Sequence, residues 1–161
     1  MLAYDVLDTD LGRIYIAVNE AGLCKVAVSE EDWEQYVSQR QWVFSPEKCA
    51  EVSGEIEEYL AGSRRCFSIP LSLEGTLFNR KVWDELLRIP YGEIRTYTDI
   101  AVAVGHPRAC RAVGQANYHN PLPIVIPCHR VLGKNGKLMG YKGTHTQIKA
   151  HLLRLEGVKT V

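Results

Sequence analysis

The alternation of apolar and polar residues predicts three short strands at the start of the chain. They cover Ala3–Leu7, Arg13–Val18 and Leu23–Val28, where apolar side chains recur at every second position or in short runs. Asp10-Leu11-Gly12 and Asn19-Glu20-Ala21-Gly22 separate them and contain residues typical of turns. Strands joined by tight turns pair antiparallel, so we expect a small antiparallel sheet.

Two later stretches have the spacing of amphipathic helices. In the first, apolar residues fall at four-residue steps from Val52 to Leu60, after the N-terminal capping pattern Ser45-Pro46-Glu47. In the second, similar spacing runs through Phe78–Leu87. A link containing Pro and Gly, Ser68–Gly75, separates them. The first half is therefore predicted to be a three-stranded sheet plus one helix.

A pair of short helices is predicted next. Thr96-Tyr97-Thr98-Asp99 has the spacing of a capping box and starts a helix that ends at Gly105. His106-Pro107 starts another helix, which continues to Ala116 and carries arginines among small residues. This is the outline of a helix-turn-helix. An ordinary helical hairpin has the same pattern, and the pattern alone favours the hairpin.

The link also separates two regions of opposite charge. Residues 1–76 hold 6 Lys and Arg against 14 Asp and Glu, whereas residues 77–161 hold 13 against 5. Because Lys and Arg that neutralise phosphates dominate nucleic-acid affinity, the basic half fits a polyanionic partner. Attraction between two oppositely charged domains explains the asymmetry equally well. We expect an acidic structural domain over 1–74 and a basic functional domain over 75–161.

The composition is that of a globular protein, with 46% apolar and 24% charged residues. No stretch has the length and hydropathy of a membrane span and the N-terminus lacks a secretory signal pattern, so we expect a cytoplasmic protein. The cysteines form no CxxC or CxxH pair, which fits free thiols in a reducing compartment and predicts no metal site. There are five of them: Cys24, Cys49, Cys66, Cys110 and Cys128.

Cys128 is the candidate nucleophile. It follows the apolar run Ile124-Val125-Ile126 and Pro127, and it precedes His129 and Arg130. A thiolate is the reactive form of cysteine, and a neighbouring imidazole or cation favours it. For an isolated Cys-His-Arg tripeptide, however, a small buried and inert thiol is the better interpretation.

Glu156 is the candidate partner of that histidine. Ile148, Leu152 and Glu156 fall at four-residue steps, which places the glutamate on the core-facing stripe of the last predicted helix. A buried carboxylate needs a partner, and an imidazole oriented by a carboxylate is the usual way to activate a nucleophile. A solvated position at the frayed end of the helix fits the same spacing equally well.

Taken together, the residues of the second half resemble the O6-alkylguanine-DNA alkyltransferases, also called methylated-DNA–protein-cysteine methyltransferases. The resemblance follows the family's order from Phe78 to Gly157. It is carried by Tyr91-Gly92-Glu93, Thr96-Tyr97, Arg111-Ala112-Val113-Gly114, Asn120-Pro121, Pro127-Cys128-His129-Arg130-Val131, Gly140-Tyr141, Lys149, Leu152-Leu153 and Glu156-Gly157.

The resemblance implies an α+β protein with a ribonuclease H-like N-terminal domain, followed by a mostly helical, winged-helix-like domain with a helix-turn-helix. It implies DNA repair by a single, irreversible transfer of the alkyl group from O6-methylguanine to the protein, with O4-methylthymine as a further substrate. It also implies duplex DNA as partner, no membrane association, a monomer and no cofactor.

The resemblance further implies a role for each matched catalytic residue. Cys128 attacks the alkyl carbon, His129 acts as base through a water, and Glu156 orients the imidazole. Tyr97 donates a proton toward the departing guanine. Asn120 braces the turn that holds the active-site strand.

A stacked base lies out of reach of a buried thiol, so the nucleotide must leave the duplex. The resemblance implies that Arg111 fills the vacated space from a recognition helix in the minor groove. The expected DNA contacts are Arg95, Arg108, Ala109, Arg111, Ala112, Gly114 and Arg130. The expected pocket residues are Asn117, Val131, Tyr141 and Lys142.

Two features depart from the family pattern. The loop Lys142–Thr146 lacks the usual paired glycine, which leaves the range of alkyl groups open, and Cys110 stands where alanine is common; we interpret it as a helix-face residue. Three alternatives remain: a non-enzymatic lesion-binding relative, a helix-turn-helix regulator and a Cys-His hydrolase. The lesion binders lack the acceptor cysteine, the small residues of the second helix are poor base readers, and a hydrolase leaves the basic half unexplained.

Overall fold

The computed structural model describes residues 2–138 and 146–159. The chain forms two compact units. The first comprises Met1–Leu73 together with Pro121–Val125, and the second comprises Glu74–Asn120 and Ile126–Val161. The expected division into two consecutive domains places Pro121–Val125 in the second domain, whereas here this segment belongs to the first unit.

The first unit is a four-stranded mixed sheet with two helices. Its elements are β1 (Ala3–Thr9), β2 (Gly12–Asn19), β3 (Gly22–Ala27), α1 (Glu30–Val37), β4 (Val43–Phe44) and α2 (Pro46–Leu60). The strand order is β3-β2-β1-β4, with β1, β2 and β3 antiparallel and β4 parallel to β1. The three predicted strands and α2 are confirmed. The prediction of only three strands and one helix is wrong, because it omitted β4 and α1.

The two omitted elements have different positions: β4 extends the sheet as an edge strand beside β1, and α1 covers the second face of the sheet. Helix α2 packs on β1 and β2, whereas α1 adds an aromatic cluster on the other face. Trp33 of α1 is buried and stacks on Tyr15, with ring centroids 5.3 Å apart. Ser29 caps α1 by accepting the backbone N–H of Asp32. Helix α1 has a short apolar stripe, in which Trp33, Tyr36 and Val37 fall at helical spacing after the Ser29 cap. This signal for a helix was present in the sequence and the prediction overlooked it.

The second unit is mostly helical. Its main elements are α3 (Leu77–Leu87), β5 (Arg95–Thr96), α4 (Tyr97–Ala103), α5 (Cys110–Tyr118), β6 (Val131–Leu132) and α6 (Thr146–Leu155). Helix α3 packs on α4 and α5, and the buried Trp83 Nε1 donates to the Ala116 carbonyl at 2.8 Å. Strands β5 and β6 pair in parallel. The predicted α+β class is confirmed, and no helix in the described ranges is long and apolar enough to cross a membrane.

Helices α4 and α5 form the predicted two-helix motif, with one boundary corrected. The Thr96 capping box is present, since Thr96 and Asp99 exchange side-chain and backbone hydrogen bonds. Helix α5 begins at Cys110, not at His106-Pro107. The preceding helix is followed by Gly105, whose φ of 85° is not helical. Helical geometry is also disfavoured at His106, because this residue comes directly before Pro107. Residues 106–109 therefore form a turn, closed by the Ala109 N–H donating to the His106 carbonyl.

Candidate active site

Cys128 is held in a tight turn at the start of a short 3-10 helix, Cys128–Arg130. The Cys128 N–H donates to the Ile126 carbonyl at 2.7 Å across Pro127, whose φ of −79° and ψ of 61° define an inverse γ-turn. The thiol residue is only 2% exposed. The preceding apolar run is buried as predicted. The run lies in turns, and Ile124 adopts φ 80° there.

Two asparagines fix this turn, one in the last turn of α5 and one just after the helix. Asn120 is fully buried, and its Nδ2 donates to the Ile126 carbonyl at 3.0 Å. Asn117 is also buried, and its Nδ2 donates to the Cys128 carbonyl at 3.3 Å. The backbone on both sides of Pro127 is thus tied to α5. The turn that carries the thiol therefore takes its position from the helix-turn-helix.

His129 and Glu156 meet in the core of the second unit. His129 Nε2 lies 2.8 Å from Glu156 Oε2, and both side chains are fully buried. Burial lowers the pKa of His129, the hydrogen bond and charge of Glu156 oppose that shift, and the charges of Arg130 and Lys149 add to it. A histidine with a lowered pKa is neutral at pH 7. The imidazole is therefore in the form that can take up a proton.

Arg130 does not lie where a DNA contact requires it, which corrects one expected role. Its side chain is 9% exposed, and its guanidinium faces Glu156. Nε donates to Oε1 at 2.8 Å and Nη2 donates to Oε2 at 2.9 Å. Nη1 donates to the Ile89 carbonyl at 2.6 Å. The buried carboxylate attracts the guanidinium inward, because a charge in the core needs a partner.

Two further ionisable groups lie beside the thiol. Burial raises the pKa of Tyr97 to about 12; Cys128 adds to that shift and the Asn117 side chain opposes it. Lys149 is fully buried, donates from Nζ to the Val131 carbonyl at 2.6 Å, and lies 5.9 Å from the centroid of the Tyr97 ring. Burial lowers the pKa of Lys149 to about 8, and attraction to Cys128 opposes that shift. At neutral pH, Tyr97 keeps its hydroxyl proton.

The expected DNA contacts other than Arg130 lie at or near the surface. Arg111 and Ala112 in the first turn of α5 are exposed, as is Arg108 in the turn before it, while Ala109 and Gly114 are half-buried. Arg95 on β5 is 38% exposed and pairs with the neighbouring Glu93. No side chain caps the N-terminus of α5. The surface at the start of α5 is therefore made of small residues, with Arg108 and Arg111 beside them.

The remaining expected pocket residues fall into two groups. Val131 is fully buried and presents its carbonyl to Lys149. Tyr141 and Lys142, like the other residues of 139–145, lie outside the described residues. Within the described part of the chain, no three His, Cys, Asp or Glu side chains form a group that could hold a metal ion.

The residues that the sequence did not assign to the site include Lys149 and Gly92. Gly92 donates its N–H to Glu156 Oε1 at 3.0 Å and has a φ of 80°. A Cβ at this glycine would lie 3.2 Å from the Glu156 carbonyl oxygen. One signal for Lys149 was available: it lies on the same helical stripe as Leu152, Leu153 and Glu156, all of them buried. A lysine at core spacing is unusual, and it indicates a functional position.

Two family descriptions match almost the whole chain. Residues 2–73 match "6-O-methylguanine DNA methyltransferase, ribonuclease-like domain". Residues 77–158 match "6-O-methylguanine DNA methyltransferase, DNA binding domain".

Full-length relatives and solved structures agree with these matches. The constitutive methylated-DNA–protein-cysteine methyltransferase of Bacillus subtilis strain 168 is 50% identical over 158 residues, covering 96% of this chain and 95% of that protein. The methylated-DNA–protein-cysteine methyltransferase of Methanosarcina acetivorans is 44% identical over 154 residues, covering 96% and 97%. The crystal structure of Mycobacterium tuberculosis OGT in complex with DNA has a TM-score of 0.87 and 40% identity, covering 96% and 92%.

Proposed function

The chain belongs to the 6-O-methylguanine DNA methyltransferase family, and on this premise we propose that Cys128 is its alkyl acceptor. The protein binds DNA and repairs it by moving an alkyl group from the DNA to a cysteine of its own. The observation that carries the choice of Cys128 is its position beside a buried His129–Glu156 pair. Nucleophilic thiols are activated by an imidazole that a carboxylate orients.

The proposed reaction is one in-line displacement. The Cys128 sulfur forms a bond to the alkyl carbon as the bond from that carbon to guanine O6 breaks, and the bonding electron pair leaves with the guanine. The thiol proton passes to His129 through a water, and Tyr97 donates a proton toward the departing base. The product is a stable thioether on Cys128, and the reaction does not regenerate the thiol. Each protein molecule therefore acts once. The reaction needs no cofactor.

The protonation states at neutral pH support these roles. The pKa of His129 is lowered mainly by burial, so the imidazole is free to accept a proton. The pKa of Tyr97 is raised to about 12 by burial and by Cys128, so its hydroxyl remains a donor. The site thus holds a base and a proton donor beside one thiol, as alkyl transfer to a poor leaving group requires.

We propose that α5 carries the DNA contacts and that Arg111 takes the place of the flipped nucleotide. Arg111 is exposed in the first turn of α5, next to small residues that permit close approach to DNA. Flipping a nucleotide costs a few kcal/mol, and a long cation that enters the stack offsets part of that cost. The family resemblance implies that this helix lies in the minor groove of the DNA. Arg95 and Arg108 complete the proposed phosphate contacts.

We assign the two domains different tasks. Residues 75–161 hold all the proposed catalytic and DNA-binding groups, and residues 1–74 have a structural role. We further propose a cytoplasmic monomer, associated with the nucleoid in a prokaryote, that also accepts O4-methylthymine.

The test is the intact mass of the protein after incubation with a duplex oligonucleotide containing O6-methylguanine. We expect a stoichiometric gain of one methylene, located on Cys128 by peptide mapping and absent in Cys128→Ala. Cys110→Ala and Cys66→Ala are matched controls that should still gain it, because neither thiol lies beside the His129–Glu156 pair. An unchanged wild-type mass, or a methyl group on another cysteine, would refute the assignment.

A further inference from the structure

Glu156 is held by more donors than a hydrogen bond to one histidine requires. Its two oxygens accept from His129 Nε2, from Arg130 Nε and Nη2, and from the Gly92 N–H, at 2.8 to 3.0 Å. The Glu156 side chain is fully buried. A protonated carboxyl would have to give up one of these donors. The arrangement therefore fits only the carboxylate, and a carboxylate can only accept.

We propose that Arg130 is a positioning residue for alkyl transfer, which sets the tautomer of His129 by fixing the Glu156 carboxylate. This inference rests on the proposed function of Cys128 and His129. Because the carboxylate accepts from Nε2, the imidazole hydrogen is on Nε2, and Nδ1 becomes the basic nitrogen. Arg130 acts only through Glu156.

The guanidinium is itself held in one orientation. Nη1 donates to the Ile89 carbonyl at 2.6 Å, and Cζ lies 5.7 Å from the centroid of the Tyr91 ring. Both contacts come from the segment that follows α3, and the same segment supplies the Gly92 N–H to Glu156. Two parallel N–H···O bonds also require a planar fork, which arginine has and lysine lacks.

The charges that face His129 predict how the reaction responds to the loss of Arg130. Glu156 raises the pKa of His129, whereas burial, Arg130 and Lys149 lower it. Arg130→Met removes one of the two cations and leaves Glu156 to pair with a charged imidazole. The pKa of His129 should then rise. Because the base must be neutral to act, the acid limb of the rate profile should move to higher pH.

Arg130→Lys distinguishes the effect of the positive charge from the effect of the two parallel hydrogen bonds. It keeps a cation beside Glu156 but loses one of the two parallel hydrogen bonds. We expect the acid limb to stay close to its wild-type pH, while the rate falls at every pH because the imidazole is less well oriented. General-base catalysis contributes about 10²–10⁴-fold, so a partial loss should slow transfer by about tenfold or more.

The experiment measures the single-turnover rate of methyl transfer to Cys128 from pH 5 to 9, at saturating oligonucleotide. Wild type, Arg130→Met, Arg130→Lys and Arg154→Met are compared; Arg154 is an exposed arginine in the last turn of α6 and serves as the matched control. Imidazole ¹⁵N shifts of His129 report its tautomer and titration in the unreacted proteins. These shifts and the denaturation midpoint also show whether each variant is folded.

One combined result supports the proposal, and any of three results overturns it. Support requires the Nε2–H tautomer in wild type, an acid limb shifted upward in Arg130→Met, and a slower but unshifted profile in Arg130→Lys. The Nδ1–H tautomer in wild type overturns it, as does a folded Arg130→Lys that reacts at the wild-type rate. Weaker DNA binding with unchanged saturated rates also overturns it, in favour of a DNA contact. A wild type that transfers no methyl group to Cys128 instead refutes the proposed function.

Discussion

Lys149 is a buried cation, and its replacement by methionine isolates the free energy that this burial costs. Burial lowers the pKa of Lys149 from 10.5 to about 8, although attraction to Cys128 opposes the shift. Between these two values, the unfolded chain holds the proton and the folded chain does not. The unfolded state therefore binds more protons, and stability must rise with pH across this window.

The size of the effect follows from the same two values. At about 1.36 kcal/mol per pKa unit, the difference corresponds to about 3 kcal/mol of destabilisation. The whole penalty is present at pH 7 and is lost as the pH rises from 8 toward 10.5. Lys149→Met removes this dependence. It also removes the hydrogen bond to the Val131 carbonyl. That loss lowers the free energy of unfolding by the same amount at each pH, so it does not change the slope of stability against pH.

Urea unfolding at pH 7, 8, 9 and 10 under reducing conditions measures this effect. We expect wild type to gain about 2–3 kcal/mol relative to Lys149→Met between pH 7 and 10. Lys81→Met, at an exposed position on α3, should run parallel to wild type. In a Cys128→Ser background the gain should be larger, because the attraction that keeps Lys149 charged is gone. Parallel curves for wild type and Lys149→Met would refute the reasoning.

Two further substitutions test contacts that position the site. Asn120→Ala removes one of the two donors to the buried Ile126 carbonyl, the other being the Cys128 N–H, so we expect a loss of about 0.5–1.5 kcal/mol in urea unfolding, together with slower methyl transfer; unchanged stability and rate would contradict the bracing role. Trp83→Phe removes the Nε1 hydrogen bond to α5 and should cost about 1–2 kcal/mol. A loss well below that, by the same measurement, would show that this bond does not hold α3 to the motif.

The predictions that succeeded rest on signals confined to a few neighbouring residues. The capping box at Thr96 and the strands separated by turn residues were read from short segments, and each was found. The start of α5 was predicted too early, at His106-Pro107: Pro107 disfavours helical geometry at His106, and a turn over residues 106–109 precedes the helix. Helix α1 was omitted although Trp33, Tyr36 and Val37 follow the Ser29 cap at helical spacing; what the sequence did not show is that Trp33 stacks on Tyr15 of β2.

The candidate site shows the same contrast between signals in short segments and contacts between distant residues. Cys128, His129 and Glu156 were expected to act together, and the geometry places the last two 2.8 Å apart. Their order along the chain and the spacing of the last helix carried that expectation. Arg130 was expected among the DNA contacts. Only its bonds to Glu156, 26 residues away, show that it faces inward.

The sequence by itself determined the family, the α+β class, the candidate acceptor thiol and the basic character of the DNA-binding half. The family, the class and the acceptor thiol follow from the resemblance carried by the ordered motifs, and the basic character follows from the charge of the second half; all of these are properties of the chain before it folds. The tertiary structure decided which charges are buried together. It placed Arg130, Gly92 and His129 around Glu156, and it put Lys149 beside Cys128. Such partners come from distant parts of the chain, and the free energy of a buried charge depends on all of them at once.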